Sequence, residues 1–141
     1  MNKENTEKLY EKYPTIFMHK DLPVTQSLMC FGFDFDDGWF KLMDELCEKL
    51  ELIEKTTGIK VVAQQCKEKF AGLRVYVHME FPTDTKSVEI WQDIIYGILN
   101  GAENKSFQTC EKCGEYGRVR VSRGWHKTLC DTHAKELEYI D

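Results

Sequence analysis

Four residues near the C-terminal end of the chain have the types and spacing of a metal site: Cys110, Cys113, Cys130 and His133. They read C-x2-C, then 16 intervening residues, then C-x2-H. Zn2+ takes four tetrahedral ligands from soft and borderline donors, and a C-x2-C turn lets two thiolates converge while backbone amides point at the sulfurs. Gly114 directly follows the second cysteine, where such a knuckle needs a left-handed turn. Four protein donors leave no coordination position for water or substrate. The cofactor expected here is therefore a structural Zn2+ in a Cys3His zinc ribbon, not a catalytic metal.

To bring the second ligand pair back to the first, the intervening residues must reverse direction. Residues 118–122 and 125–129 read as a short hairpin turning at Arg123-Gly124, and a C-terminal helix from Asp131 through Ile140 delivers His133 from its first turn. The hairpin carries the second candidate chemistry. Arg118, Arg120, Arg123 and Lys127 lie between Tyr116 and Cys130 with no Asp or Glu among them, in a chain whose net charge is −5. Guanidinium forks beside the rings of Tyr116 and Trp125 are groups that grip phosphates and stack on bases. Lys67, Lys69 and Arg74 form a second basic group around another expected hairpin; were the two hairpins adjacent, a cleft for a phosphorylated small molecule would result. The competing reading is that arginines on a two-stranded ribbon simply face water and that Trp125 covers the metal site.

The elements that would hold these residues are legible from hydrophobic periodicity. Residues 3–12 read as a short polar helix anchored by Leu9 and Tyr10 and ended by Pro14. A surface connection over residues 15–26 follows, with Ile16, Phe17 and Met18 packing down. Residues 27–35 alternate, with Met29, Phe31, Phe33 and Phe35 on one face, so a strand is expected, weakened at Gly32. Asp36 and Asp37 start a long amphipathic helix over residues 38–55, stopped by Gly58. Strands at 59–67 and 73–81 turn at residues 69–72, with Leu73, Val75, Val77, Met79 and Phe81 toward the core. A second amphipathic helix, capped by Thr83 or Thr85, spans 87–99 and closes at Asn100-Gly101, and residues 102–106 form a polar linker. The expected fold is α+β, a small antiparallel sheet packed by two amphipathic helices. The core comprises residues 1–104, and residues 105–141 form a zinc-ribbon module packed on it.

At 141 residues with 42% hydrophobic and 12% aromatic content, the chain has enough apolar material for a real core. The charged N-terminal stretch has no apolar signal-like region and no run approaches membrane-spanning length, which implies a cytoplasmic protein with reduced thiols and no membrane partner. Cys30, Cys47 and Cys66 are then expected to be small core residues. Lys67 and Lys69 could lower the Cys66 thiol pKa, but no partnered base accompanies it.

Four blocks, YPTIF at 13–17, CFGFDFDDGWFKLMDELCEKLE at 30–51, QQCKEKFAGLRVYV at 64–77 and CEKCG…GWHKTLCDTHA from 110, together resemble a family of small, largely uncharacterised bacteriophage and prophage proteins. KEKFxGLR and CxxCG…GWxxTLCxxH are its specific parts, and Ala71 stands where the family's turn would have glycine. The resemblance implies a host-cell setting, and accessory phage proteins are often binders that interfere with host defence.

Three functions follow for testing. The first is a non-catalytic protein with a structural zinc site that binds an anionic, nucleotide-like ligand through Arg118, Arg120, Arg123, Trp125, Tyr116, Lys67, Lys69 and Arg74, sequestering a host signalling nucleotide. The second is a zinc-ribbon adaptor contacting nucleic acid or a host protein. The third is a metal-dependent phosphoester hydrolase built on Asp34, Asp36 and Asp37 with His78 or Glu80; helix capping by the aspartates is the simpler reading of those residues. No enzyme motif such as a phosphate-cradling glycine loop is present, and a homo-oligomer is compatible with all three.

Overall fold

The computed structural model describes residues 1–139. The chain forms helix α1 (Lys3–Lys12), strand β1 (Phe33–Asp34), helix α2 (Phe40–Thr57), strands β2 (Lys60–Lys69) and β3 (Gly72–Glu80), and helix α3 (Val88–Ser106). Strands β4 (Arg118–Ser122) and β5 (Trp125–Leu129) and helix α4 (Asp131–Glu136) follow. This is the α+β class expected. β2 and β3 pair antiparallel, as do β4 and β5, while β1 joins the other edge of β2 in parallel, with Phe33 opposite Cys66 and Asp34 opposite Lys67. α2 packs on β2, and α3 packs on β3 and α2.

The core sits beneath these helices. Trp39, Met43, Leu46 and Leu50 meet Phe17, Phe33, Val61, Cys66, Leu73 and Ile95, all at 5% exposure or less. A relay of rings runs through its N-terminal half: Tyr10 to Phe17 at 5.3 Å, Phe17 to Phe33 at 5.2 Å edge-on, Phe33 to Phe35 at 5.9 Å and Phe35 to Trp39 at 5.4 Å. Such offset and edge contacts suit the quadrupole of each ring.

Several elements depart from the sequence reading, each for a physical reason. The expected strand over 27–35 shrinks to two residues, because Met29–Phe31 forms a 3-10 turn ended by Gly32 at φ 64. That turn rotates Phe31 outward to 66% exposure and leaves Cys30 exposed, not in the core, while Met29, Phe33 and Phe35 stay buried. Met18 also faces solvent, unlike Ile16 and Phe17. Asn100-Gly101 does not close α3. The helix continues to Ser106 through the expected linker, because Ala102 and Ser106 are buried and the Ser106 hydroxyl accepts the Leu73 N–H at 2.8 Å. Ser87, with no side-chain cap bond, occupies the N-cap in place of Thr83 or Thr85. The β2–β3 turn is tight despite Ala71: Phe70 and Ala71 both take positive φ, 52° and 72°. α4 ends at Glu136, and Ile140, expected in that helix, lies outside the described residues.

The C-terminal module is fastened to the core at the N-terminal end of α2. Gly38 N–H donates to Glu111 O at 2.8 Å, and the Trp39 indole donates to Thr109 O at 2.8 Å. A Cβ at Gly38 would collide with the carbonyl oxygens of Cys110 and Glu111. Gly38→Val is therefore expected to push the module off the core and cost about 2 kcal/mol or more, measured as the loss in urea unfolding free energy.

Candidate metal centre

The metal site is assembled from three pieces of backbone. Residues 110–114 turn as a knuckle: Gly114, at φ 82, donates its N–H to Cys110 O at 2.8 Å, as expected for the residue after the second cysteine. Cys130 directly follows β5 and serves as the N-cap of α4, whose first turn carries His133. The four ligand atoms all lie within 4.8 Å of one another. Cys113 Sγ and Cys130 Sγ are 3.8 Å apart, and His133 Nδ1 lies 3.2 Å from Cys130 Sγ and 3.6 Å from Cys110 Sγ. A tetrahedron with metal–sulfur arms of about 2.3 Å has edges of about 3.8 Å, slightly shorter where nitrogen replaces sulfur. The donor set thus fits a zinc site in chemistry and in span. The other ring nitrogen of His133, Nε2, has Glu136 Oε2 at 3.8 Å, beyond hydrogen-bond distance.

The thiols are tuned unequally. Burial works against a thiolate at Cys110, but the N–H groups of Cys130, Cys113 and Lys112 aimed at its sulfur prevail and hold its pKa below the ordinary thiol value. Cys113 is pushed up to about 11, first by burial and then by the neighbouring Cys110 and Cys130 sulfurs, against an opposing N–H from Glu115. Three sulfurs this close repel one another as thiolates, and a divalent cation removes the penalty. Among the described residues this is the one group of His, Cys, Asp and Glu side chains positioned to hold a metal ion.

Glu111, inside the C-x2-C knuckle, was not foreseen. An acid beside three thiolates is unfavourable unless it turns away and finds partners, and that conflict is the signal the sequence does carry. Glu111 is 2% exposed: Oε2 accepts the Asp36 N–H at 3.1 Å and Oε1 accepts from Lys127 Nζ at 3.0 Å. Its own N–H donates to Thr128 O at 3.0 Å, and Thr128 Oγ1 donates to Ala71 O at 2.8 Å. One residue therefore ties knuckle, β5 and core together. Burial opposes the charge on Lys127, but Glu111, and after it Glu68 and Asp36, hold that lysine above its usual pKa.

The basic candidates separate in space. The two hairpins are adjacent, with Phe70 edge-on to His126 at 6.4 Å. The cavity of about 340 Å3 beside them is acidic, lined by Asp34, Asp36, Glu68 and Glu111 against Lys127. The expected cationic cleft is not formed there. Lys67 lies over the Tyr76 ring at 5.8 Å and Lys69 over Phe70 at 5.7 Å. Arg74 Nε sits 2.8 Å from Glu103 Oε1, an ion pair off the angle of a hydrogen bond. Arg120 is buried, bonding Asp131 at 2.6 Å and Leu129 O at 3.2 Å, and together with Arg118 it lowers the Asp131 pKa. Arg123, Trp125 and Arg120 do come together, lining a cavity of about 910 Å3 between β4, its turn and α4, to which Lys135 and Tyr139 also belong. Trp125 is 74% exposed and does not cover the metal site. Tyr116 lies apart, on a second cavity of about 620 Å3 beside Cys113 and α2.

The expected hydrolase cluster is split: Asp34 and Asp36 line the same acidic cavity, but His78 and Glu80 lie toward the other end of the β2–β3 ladder. Asp34 pairs in register with Lys67, whereas His78 pairs with Val62, further along β2. Asp36 forms an ion pair with Lys112 at 3.0 Å, and Asp37 accepts from Asn2 N–H at 2.9 Å and from Asn5 at 3.1 Å, tethering α1. No helix among the described residues is long and apolar enough to cross a membrane.

Burial drives the Cys66 thiol up to about 12 and raises Cys47 well above the ordinary value, while Cys30 is exposed. Alkylation of the metal-loaded protein is expected to label Cys30 alone. Adding a chelator should add labels at Cys110, Cys113 and Cys130 and spare Cys47 and Cys66, as read by intact mass and peptide mapping. No protein-family model, curated protein or solved structure matches the chain significantly.

Proposed function

We propose that this is a non-catalytic binding protein whose C-terminal module, held by a structural Zn2+ on Cys110, Cys113, Cys130 and His133, presents a pocket for a compact anionic ligand with a planar ring. The observation that carries this reading is the cavity of about 910 Å3 lined by Arg123, Trp125, Lys135 and Tyr139. Its volume falls in the range of small-molecule sites, and its lining combines the Arg123 and Lys135 cations and the Trp125 and Tyr139 rings, group types that hold a nucleotide's phosphate and base, with the Asp131 and Glu138 carboxylates. Arg120 forms part of the wall, but its charge is met by Asp131. Arg118, Lys67, Lys69, Arg74 and Tyr116 fall outside this pocket. The metal is coupled to it directly, since α4 supplies His133 on one turn and Asp131, Ala134 and Lys135 to the wall.

The four protein ligands leave no open position for substrate, which supports a structural role for the metal and a binding function for the protein. None of the six cysteines is paired in a disulfide, in keeping with the cytoplasm of a bacterial host as the setting. The resemblance to phage proteins makes a host defence signalling nucleotide the first ligand class to test.

A second reading has its own observation. Phe70, held at positive φ and 67% exposed, lies against His126, which pairs with the 37% exposed Val121, and Val119 is 38% exposed on the same strand. That apolar strip suits a host protein, in an adaptor role, better than it suits nucleic acid.

Titration with mono- and dinucleotides, followed by Trp125 fluorescence and calorimetry with nucleosides as controls, separates the readings. The pocket reading expects saturable quenching by a nucleotide, loss of affinity of about tenfold or more in Arg123→Ala with Trp125→Ala, and little change in Lys67→Ala. Unchanged affinity in the pocket variant would refute it, and a steep dependence on salt would indicate a long nucleic acid instead.

A further inference from the structure

We infer that the base of the nucleotide held in the cavity of Arg123 and Trp125 is guanine, read on its Watson–Crick edge by the carboxylate of Glu138. The inference rests on the reading of that cavity as a nucleotide pocket and adds what the ring must be. Five charged side chains line the cavity: Arg120, Arg123, Asp131, Lys135 and Glu138. Arg120 and Asp131 meet each other at 2.6 Å. Arg123, Lys135 and Glu138 form no ion pair among the described residues. The charges left for a ligand are therefore two cations and one carboxylate, beside the rings of Trp125 and Tyr139. The cations suit a phosphate. The carboxylate repels one and can only accept hydrogen bonds, so its match is a part of the ligand that donates them.

Arg123 and Glu138 both stand where the backbone favours glycine or asparagine. Ser122 pairs with Trp125, so Arg123-Gly124 is a two-residue hairpin turn with both residues at positive φ, 50° and 82°. The first position of such a turn ordinarily holds Asn, Asp or Gly. Glu138, at φ 60, follows the Leu137 C-cap of α4, and Tyr139 N–H donates back to Ala134 O at 2.8 Å. Glycine is the usual residue in that helix-ending motif. Of the five non-glycine residues described at positive φ, these two line one cavity and carry opposite charges. A charged side chain kept against backbone preference at two places in one cavity implies a contact that each makes with a ligand.

The chemistry of the bases then selects guanine. A carboxylate is best met by two neighbouring donors, and guanine presents its ring N–H beside its 2-amino group. Adenine and cytosine each set an amino group beside a ring-nitrogen acceptor, and uracil has a single N–H between two carbonyls. Each of these would turn an acceptor lone pair toward the carboxylate and leave it partly unpaired. Trp125, 74% exposed, offers a stacking face that every base can use, so it holds the ring without choosing it. Glu138 chooses.

Calorimetric titration of the full, metal-loaded chain with the 5′-monophosphates of guanosine, inosine and adenosine tests this. The guanosine nucleotide is expected to bind about tenfold or more tighter than the adenosine one, with inosine, which lacks the 2-amino donor, between them. Glu138→Gly should bring the three affinities together by weakening the guanosine nucleotide. Glycine suits the left-handed position, so the variant's stability to urea should equal or exceed that of the wild type. Equal wild-type affinity for the guanosine and adenosine nucleotides overturns the guanine assignment and leaves the pocket reading standing. A guanosine preference that survives Glu138→Gly overturns the role given to Glu138. Failure of all three to bind removes the pocket reading, and the base assignment with it.

Discussion

The C-terminal third of the protein depends on four ligand atoms converging within 4.8 Å. Three of them are sulfurs whose thiolates repel, and desolvation at Cys110 and Cys113 adds to the penalty. Without a cation the arrangement opposes itself; with one, each sulfur gains more than it loses. The hairpin β4–β5 and the six-residue α4 are too short to be stable alone, and the apolar cluster beneath them is small: Cys110, Leu129 and Ala134, with Cys130 and Tyr139 at its margin. A metal ion bound there would substitute for the core that this module lacks.

That constraint propagates to the main core through Glu111. Its backbone and carboxylate join the knuckle to Gly38, Asp36, Thr128 and Lys127, and each bond is made where water is largely excluded. Gly38 allows the two backbones to approach at the point where any side chain would intervene. The module is thus fastened to the start of α2 and to the β2–β3 turn, while the pocket behind α4 is lined by the module's own residues, from β4, its turn, the start of β5 and residues 131–139.

Much of this was legible in the chain. The ligand spacing gave the metal site and its hairpin, and the three-and-four periodicity of Leu42, Met43, Leu46, Leu50 and Ile53 gave α2. What failed did so where tertiary packing overrode a local signal. Asn100-Gly101 is a stop sequence, but burial of Ala102 and Ser106 carried α3 past it. Phe31 belongs to an alternating pattern, yet Gly32 let the chain turn it outward. The basic stretch looked like an open patch because its acids come from afar: Asp131 for Arg120, and Glu111 and Glu68 for Lys127. Charge counted along a sequence does not reveal which cations the fold neutralises. The sequence marks Arg123 and Trp125 as candidates, while Lys135 and Tyr139, beyond the fourth ligand, carry no pattern that singles them out.

The account rests on a closed, fully protein-ligated metal at the head of α4. Zinc-edge X-ray absorption of the purified protein tests that claim most directly. It should show three sulfurs at about 2.3 Å and one imidazole nitrogen at about 2.0 Å, with no oxygen in the first shell. A shell containing a water oxygen or fewer than three sulfurs, or protein that folds and purifies without metal, would contradict it.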